Sequence, residues 1–392
     1  MIKREKYLNE LLNYKDKSFI KVITGLRRVG KSTILQQFSD ELVSLNVSKS
    51  NILNLNFELP NTFDIVDYKN LTDFVLDWKQ NKTGKLYLLL DEIGRVNMWE
   101  KAVNAFHTMK HFDIYITGSN ADLLSSDLST YLAGRYVEIL VLPFSFKEFL
   151  LLYPNSTFND YLLFGGIPSI ETFNLNYQYS MNALRDTFKS AIYQDVLMRY
   201  GIRNNLALEK LITYIFSNTS KTFSALSISN YFKSENLKIS VDSILSYLKN
   251  IEDAFLIYRV SRNDLEGKKI LKTEEKYFIC DHGIREAIVG GNLKSIELIL
   301  ENIVYLELIR RGYDVYIGKV GNLEIDFVAY KNNEPTYFQV SYLMSTEDTR
   351  EREFSVYSKI NDNHPKYVLS MDTINFSQNG IIHKNIEDFL KE

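Results

Sequence analysis

Four side chains carry most of the chemistry legible in this sequence: Lys31, Ser32, Asp91 and Glu92. The first two close the stretch Gly25-Leu26-Arg27-Arg28-Val29-Gly30-Lys31-Ser32, followed by Thr33, which fits the pattern G-x-x-x-x-G-K-[ST]. Gly25 and Gly30 can take backbone conformations that turn N–H groups inward around phosphate oxygens. A helix starting at the end of the loop adds partial positive charge there. Lys31 can reach the β- and γ-phosphates, and Ser32 can ligate Mg²⁺. The loop residues Gly25, Leu26, Arg27, Arg28, Val29, Gly30, Lys31, Ser32 and Thr33 are therefore the expected nucleotide cradle, with ATP and Mg²⁺ as cofactors. A chance match in a surface loop is the alternative, and the flanking elements count against it.

Asp91 and Glu92 end the apolar run Leu86-Tyr87-Leu88-Leu89-Leu90. Asp91 is expected in the Mg²⁺ shell with Ser32. Glu92 is the candidate base that orients and polarises an attacking water. An acidic helix cap after a core strand is the other reading of the pair, weakened by the phosphate loop. Two further residues are assigned more loosely. Asn120, with Ser119 and Thr117 behind it, stands where a polar group could contact the γ-phosphate or the water; a turn capping the next helix is its alternative. Arg135, after Leu132-Ala133-Gly134, could neutralise transition-state charge from its own or a neighbouring subunit, or simply make a surface ion pair.

These residues need a strand feeding a helix on one side and a buried strand on the other. Phe19 to Thr24 reads as a short apolar strand, and Thr33 to Leu45 as an amphipathic helix. Asn51 to Phe57 alternates like a strand, and Leu71 to Trp78 is helical in pattern. The run Leu86–Leu90 suits a strand buried on both faces of a parallel sheet, whose carboxyl end is where such sheets present ligands. Asp113 to Thr117 and Tyr136 to Leu142 are further strands. A chain of 392 residues exceeds one ordinary core, so two or three domains are expected. The formal net charge of −3 argues against a generally basic nucleic-acid binder while leaving room for a local basic patch. One cysteine, Cys280, excludes an internal disulfide and a cysteine-rich zinc site. The N-terminus starts no signal peptide and no apolar run is long enough to span a bilayer, so a cytoplasmic location without membrane contact is the expectation. His107 and His111, four apart on an expected helix, lack further ligands and read as ordinary packing or surface histidines.

Nearly the whole chain resembles the prokaryotic AAA-like ATPases of the archaeal-ATPase type that carry a C-terminal DUF4143 domain. The matching pieces are Thr24 to Thr33, Leu90-Asp91-Glu92-Ile93, Thr117-Gly118-Ser119-Asn120, Gly134-Arg135, Leu142 to Phe149 and Gly165-Gly166-Ile167-Pro168. The resemblance implies an α/β P-loop NTPase with a parallel sheet, nucleotide binding and ATP hydrolysis. In one branch of these ATPases a strand lies between the phosphate-loop strand and the Asp-Glu strand; Asp113–Thr117 would fill that place.

Beyond a P-loop ATPase domain at residues 1–145, residues 146–206 resemble the small helical lid of AAA-like folds. Residues 207–290 read as three helices and a hairpin, a winged-helix pattern. Lys221, Lys233, Lys238 and Lys249 offset Glu235 and Asp242 there, and the hairpin adds Arg259, Arg262, Lys268, Lys269 and Lys272 against Asp264, Glu266 and Glu274. That mildly basic balance leaves DNA and protein partners both open, as is the oligomeric state. Residues 291–392 resemble the PD-(D/E)XK nuclease superfamily fold, with Glu301, Asp326 and Gln339 at the carried-over positions. Ser341 stands where active members have a lysine, so a non-catalytic domain is expected. The leading function is a Mg²⁺-dependent ATPase whose cycle moves the C-terminal domains. An ATP-switched DNA-binding regulator and an ATP-gated metal-dependent nuclease are the alternatives.

Overall fold

A computed structural model describes residues 2–124, 134–265, 267 and 269–392; for residues 122, 124 and 269–274 it describes the backbone alone. Leu132 and Ala133 of the motif before Arg135, and Glu266 and Lys268 of the hairpin, lie outside the described residues. The chain divides into two compact units. One comprises Met1–Val141 with Asp253–Phe255, the other Leu142–Glu252 with Leu256–Glu392. Among the described residues no helix is long and apolar enough to cross a membrane.

The first unit is built on five parallel strands: β1 (Ile20–Thr24), β2 (Ile52–Asn56), β3 (Leu86–Asp91), β4 (Phe112–Thr117) and β5 (Tyr136–Leu140). Their order is β2-β3-β4-β1-β5, so β4 does lie between the phosphate-loop strand and the Asp-Glu strand. Every residue of β1, β3 and β4 is buried, as in a sheet covered on both faces, and of the three only β3 is a continuous apolar run up to its final Asp91. The edge strand β2 alternates instead. Among the described residues, four α-helices accompany the sheet: α1 (Glu5–Asn13), α2 (Lys31–Ser44), α3 (Tyr68–Lys79) and α4 (Trp99–Thr108). The core joins Val22, Leu88, Leu90, Ile114 and Ile116 of the strands to Leu71 and Val75 of α3 and Trp99, Val103 and Phe106 of α4. Asp67 caps α3, its carboxylate accepting from the amides of Lys69 and Asn70. His111 follows the end of α4, so it does not share a helix with His107.

One buried ion pair crosses the sheet beneath the site. Lys21 of β1 meets Asp113 of β4, both side chains without solvent exposure. Asp113 also accepts from the Tyr115 hydroxyl at 2.9 Å and the Asp16 amide at 2.8 Å. Fully satisfied, this network specifies which strands lie side by side.

The second unit holds a seven-stranded mixed sheet. Its strands are β6 (Ile257–Asp264), β7 (Lys269–Ile279), β8 (Asp314–Val320), β9 (Leu323–Lys331), β10 (Glu334–Val340), β11 (Lys366–Ser370) and β12 (Ile382–Asn385), in the order β12-β11-β10-β9-β8-β6-β7. The β6–β7 hairpin is therefore no free-standing wing: β6 pairs in parallel with β8 over Arg262–Asp264. Its helices begin with α5 (Phe146–Leu152), α6 (Phe158–Phe164) and α7 (Tyr177–Ala191), and α7 runs on as a π-helix over Ile192–Met198. Next come α8 (Asn205–Ser217), α9 (Ala225–Ser234) and α10 (Val241–Asp253), the three helices ahead of the hairpin. Last are α11 (His282–Ile288), α12 (Ile296–Arg310), α13 (Glu347–Ser355) and α14 (Ile386–Lys391). Capping boxes at Ser145/Glu148 and Thr157/Asp160 start α5 and α6.

The Gly165-Gly166-Ile167-Pro168 break is a packing joint. The Gly166 amide donates to the buried carboxylate of Asp281 at 2.7 Å, and a Cβ on Gly166 would stand 2.3 Å from the Phe144 carbonyl oxygen. Burial pushes the Cys280 thiol well above its ordinary pKa, so it is a packing residue and not a nucleophile.

Gly25 is held just as closely within the first unit. Its φ is +135°, and a Cβ there would lie 2.3 Å from the Val141 carbonyl oxygen, a backbone atom. Gly25→Ala should therefore lose more than the ~1–3 kcal/mol of backbone strain alone. Equilibrium urea denaturation reads this; a midpoint unchanged from wild type would contradict it.

Candidate functional site

The phosphate loop turns on two left-handed residues, Arg28 with φ 67° and Gly30 with φ 95°, and Gly30 opens α2. The Arg4 guanidinium, buried at the start of α1, donates to the Val29 carbonyl at 3.2 Å. Gln37 of α2 donates to the Ile2 carbonyl at 2.8 Å, so the N-terminal segment straps the loop to its helix. Neither contact had a signal in the sequence, because both span about thirty residues.

Lys31 lies inside the loop. Its ammonium donates to the carbonyls of Gly25 at 2.9 Å and Leu26 at 3.1 Å, and stands 3.8 Å from the Glu92 carboxylate. Ser32 is exposed at the first turn of α2, and Arg27 pairs with Glu58 at 3.7 Å.

Opposite the loop, the ends of β3 and β4 meet through one hydroxyl. Thr117 Oγ1 donates to Asp91 Oδ1 at 2.5 Å and accepts from the Glu92 amide at 2.9 Å. The second carboxylate oxygen of Asp91 accepts from Asn56 Nδ2 at 2.8 Å, bringing β2 into the site. Glu92 itself sits in the left-handed region at φ 55°, which turns its side chain out of the strand direction. Burial raises the Glu92 pKa above its ordinary value, and the Lys31 ammonium opposes that rise.

The structure thus brings Lys31, Asp91 and Glu92 together at the carboxyl edge of the sheet. The Gly118 amide donates to the Ile23 carbonyl at 3.1 Å, so Asn120 follows β4 at this same edge and is buried there. Thr117 is the β4 residue whose hydroxyl reaches both carboxylate-bearing positions. Arg135 is not brought in. The Ile20 amide donates to its carbonyl at 2.8 Å, which puts it beside the start of β1, while the loop follows the end of that strand. About five residues of strand, roughly 15 Å, intervene. Its guanidinium instead donates to Asn104 Oδ1 of α4 at 2.6 Å. Within its own subunit that placement sets Arg135 apart from the loop, Asp91 and Glu92.

The donor set suits a hard cation such as Mg²⁺. Asp91 keeps lone pairs beyond its two hydrogen bonds, and the Ser32 hydroxyl is exposed. Among the described residues no three His, Cys, Asp or Glu side chains are grouped to hold a metal.

In the second unit, Asp326 and Gln339 are adjacent across β9 and β10: Gln339 Oε1 accepts from the Asp326 amide at 3.2 Å. Glu301 of α12 joins them through Lys276 of β7, whose ammonium lies 3.2 Å from Glu301 and 3.8 Å from Asp326. Burial raises the pKa of both carboxyls, and Lys276 opposes the rise in each.

Comparison with known proteins follows the division of the chain. The family described as AAA domain matches residues 17–150, and a domain of unknown function, DUF8612, matches residues 155–295, where the resemblance of the sequence had pointed to DUF4143. An uncharacterized protein of Haemophilus influenzae is 38% identical over 378 residues, covering 94% of this chain and 93% of its own length. One of Methanocaldococcus jannaschii is 31% identical, covering 95% of this chain and 83% of its own. Among solved structures, a Walker-type ATPase of Pyrococcus abyssi is similar with a TM-score of 0.49 at 17% identity, over 74% of this chain and 96% of that one.

Thr117→Val keeps the shape at the strand end but leaves the Glu92 amide without its acceptor and Asp91 with Asn56 in place of two side-chain donors. It should lose about 1–3 kcal/mol of folding stability, while Thr117→Ser stays within about 1 kcal/mol of wild type. Urea denaturation of both variants is the check; a T117V chain as stable as wild type would remove the bridge from the account.

Proposed function

The chain belongs to the family of the Haemophilus influenzae and Methanocaldococcus jannaschii proteins and is an AAA-like P-loop ATPase by its AAA domain, and we propose that it hydrolyses ATP with Mg²⁺ at the site formed by Lys31, Ser32, Asp91 and Glu92. The observation that carries this reading is the junction at the strand ends. One buried hydroxyl holds the carboxylate suited to a metal shell and the backbone of the carboxylate suited to water, with the loop lysine 3.8 Å from the latter.

The roles follow from what each group can do. Lys31 exchanges its two loop carbonyls for phosphate oxygens, a stronger charge-assisted partner. The loop amides and the first turn of α2 receive the remaining phosphate charge. Asp91 and Ser32 would hold Mg²⁺, which supplies charge neutralisation at the phosphates when bound. Glu92, released from Lys31 by that exchange, orients water toward the γ-phosphate. Asn120, buried at the same sheet edge, is on this reading the polar group that contacts that water or phosphate. Arg135 enters the reaction on this reading only from a second copy of the chain.

We also propose that the cycle is coupled to rearrangement in the second unit, whose α8–α10 region is winged-helix-like. A backbone bridge between Thr222, ahead of α9, and Lys276 of β7 supports that reading. The solvent face of α10 carries Asp242, Leu245 and Lys249, a mixture that favours a protein partner over the phosphate backbone of DNA. Titration with duplex DNA at several salt concentrations distinguishes the two, because phosphate contacts weaken steeply with salt.

Three outcomes test the ATPase reading. Lys31→Ala should lose most ATP affinity by calorimetry, and equal affinity in wild type and variant would overturn its role. Glu92→Gln should keep ATP binding and lose turnover by at least ~10²-fold; near-wild-type phosphate release would rule out Glu92 as the base. The raised pKa of Glu92 also sets a pH dependence. A base works deprotonated, so turnover should be full at higher pH and fall as pH drops through a midpoint above the ordinary 4.5. An acid limb of kcat at or below that value would contradict the buried environment.

A further inference from the structure

Two arginines share one carboxylate oxygen beside the phosphate loop. Arg27, within the loop, stands 3.7 Å from Glu58 Oε1, and Arg95, in the short turn after Glu92, donates to the same oxygen at 2.6 Å. Glu58 follows β2 and is braced there. Its amide donates to Asn56 Oδ1 at 2.8 Å, while Asn56 Nδ2 donates to Asp91 Oδ2 at 2.8 Å. One asparagine thus fixes both Asp91 and the segment that carries Glu58. Charges then alternate across the site: Lys31, Glu92 at 3.8 Å from it, Arg27, Glu58 and Arg95. Burial raises the Glu92 pKa, and the charges of Lys31 and Arg27 both oppose that rise, so the Arg27 charge is felt at Glu92. The Arg27 side chain is 17% exposed, whereas its neighbour Arg28 is exposed. Arg27 is the loop arginine that the fold turns toward the acidic residues.

We propose that Arg27 is a catalytic residue of the hydrolysis at this site: its guanidinium passes from Glu58 to the transferring phosphate and offsets the charge that develops there, with Glu58 as the positioning residue that holds it within reach. This role rests on the ATPase reading of the site. In that reaction the water oxygen bonds to the γ-phosphorus, the bond to the bridging oxygen breaks, and its electron pair leaves with ADP. One water proton goes to Glu92. Arg27 exchanges no proton, because a guanidinium stays charged; it sets positive charge and paired N–H donors against the phosphoryl oxygens. The exchange is favourable for two reasons. A guanidinium 3.7 Å from a carboxylate that is 42% exposed is weakly held, and a phosphate is a stronger, bidentate partner. When Arg27 leaves, Glu58 keeps Arg95 at 2.6 Å, so no carboxylate is stranded. The two loop cations divide the work accordingly. Lys31, held by the Gly25 and Leu26 carbonyls, is a point charge for the bound phosphates, and Arg27 supplies a planar fork for the phosphoryl group in transfer.

The test combines phosphate release with calorimetry of ATP, and of ADP with and without aluminium fluoride, on the full chain. Aluminium fluoride beside ADP mimics the phosphoryl group in transfer, and such mimics bind more tightly than ground-state ligands. Arg27→Met should keep ATP affinity within about tenfold of wild type while kcat falls roughly 10³-fold. It should also lose the tightening of ADP binding that aluminium fluoride gives the wild-type chain. Glu58→Gln removes the competitor and should strengthen ATP binding about two- to fivefold, the scale of a part-exposed ion pair. R27M/E58Q should bind ATP as R27M does. An R27M chain with near-wild-type kcat, or with the tightening intact, would overturn the proposal. So would an E58Q gain that persists without Arg27, the mark of simple repulsion between Glu58 and phosphate. If R27M fails to fold, R27K keeps the charge without the fork, and the tightening should fall by at least ~tenfold; unchanged tightening in R27K counts against the role. A wild-type chain that binds no ATP removes the ATPase reading and this role with it, whereas turnover in wild type matched by R27M removes the role of Arg27 alone.

Discussion

The Thr117 hydroxyl is where the first unit's architecture becomes chemistry. It spends its proton on Asp91 and a lone pair on the Glu92 amide, so one atom positions two successive acidic residues. That is possible only because β4 lies between β1 and β3. The register sets Leu90 beside Ile116 and Ile23 beside Thr117, which lines up the loop, the hydroxyl and the carboxylates on one edge. With β4 elsewhere, Asp91 would end a buried strand with no donor but Asn56. The left-handed backbone of Glu92, strained by on the order of 1 kcal/mol, is tolerated because its amide is fixed by that same hydroxyl.

The two units use buried lysines in opposite ways. Lys31 rests on two backbone carbonyls and stands 3.8 Å from a carboxylate, partners that a phosphate can displace. Lys276 faces three carboxylates at 2.8 to 3.8 Å. The first arrangement is poised for exchange and the second is closed. Lys21 is a third case, paired with Asp113 beneath the site without exposure, where the charge fixes strand neighbours and has no ligand to meet. What separates the three is the strength and number of the partners each ammonium already has.

Local spacing made the phosphate loop legible in the sequence, since eight consecutive residues carry it. The continuous apolar run of β3 was equally legible, because a strand buried on both faces needs apolar residues at successive positions. Asp91 and Glu92 were legible as the end of such a run. Contacts formed across the fold were not. Thr117 ranked behind Asn120 because both are polar residues at a strand end, and only the strand order says which hydroxyl meets Asp91. Arg135 was placed by its nearness in sequence to β5, but it precedes that parallel strand and so falls at the edge away from the loop. The hairpin read as a wing because its pairing with β8 joins segments some fifty residues apart. Lys276 was invisible for the same reason: its ammonium arrives among the carboxylates from another strand.

Phosphate release from ATP by the wild-type chain, with Mg²⁺ and with EDTA in its place, tests the central claim most directly. The loop, the carboxylates and the hydroxyl that joins them predict steady release that requires the metal and stops on chelation. Release that persists in EDTA, or a chain that binds Mg²⁺-ATP and liberates no phosphate over many hours, would contradict it.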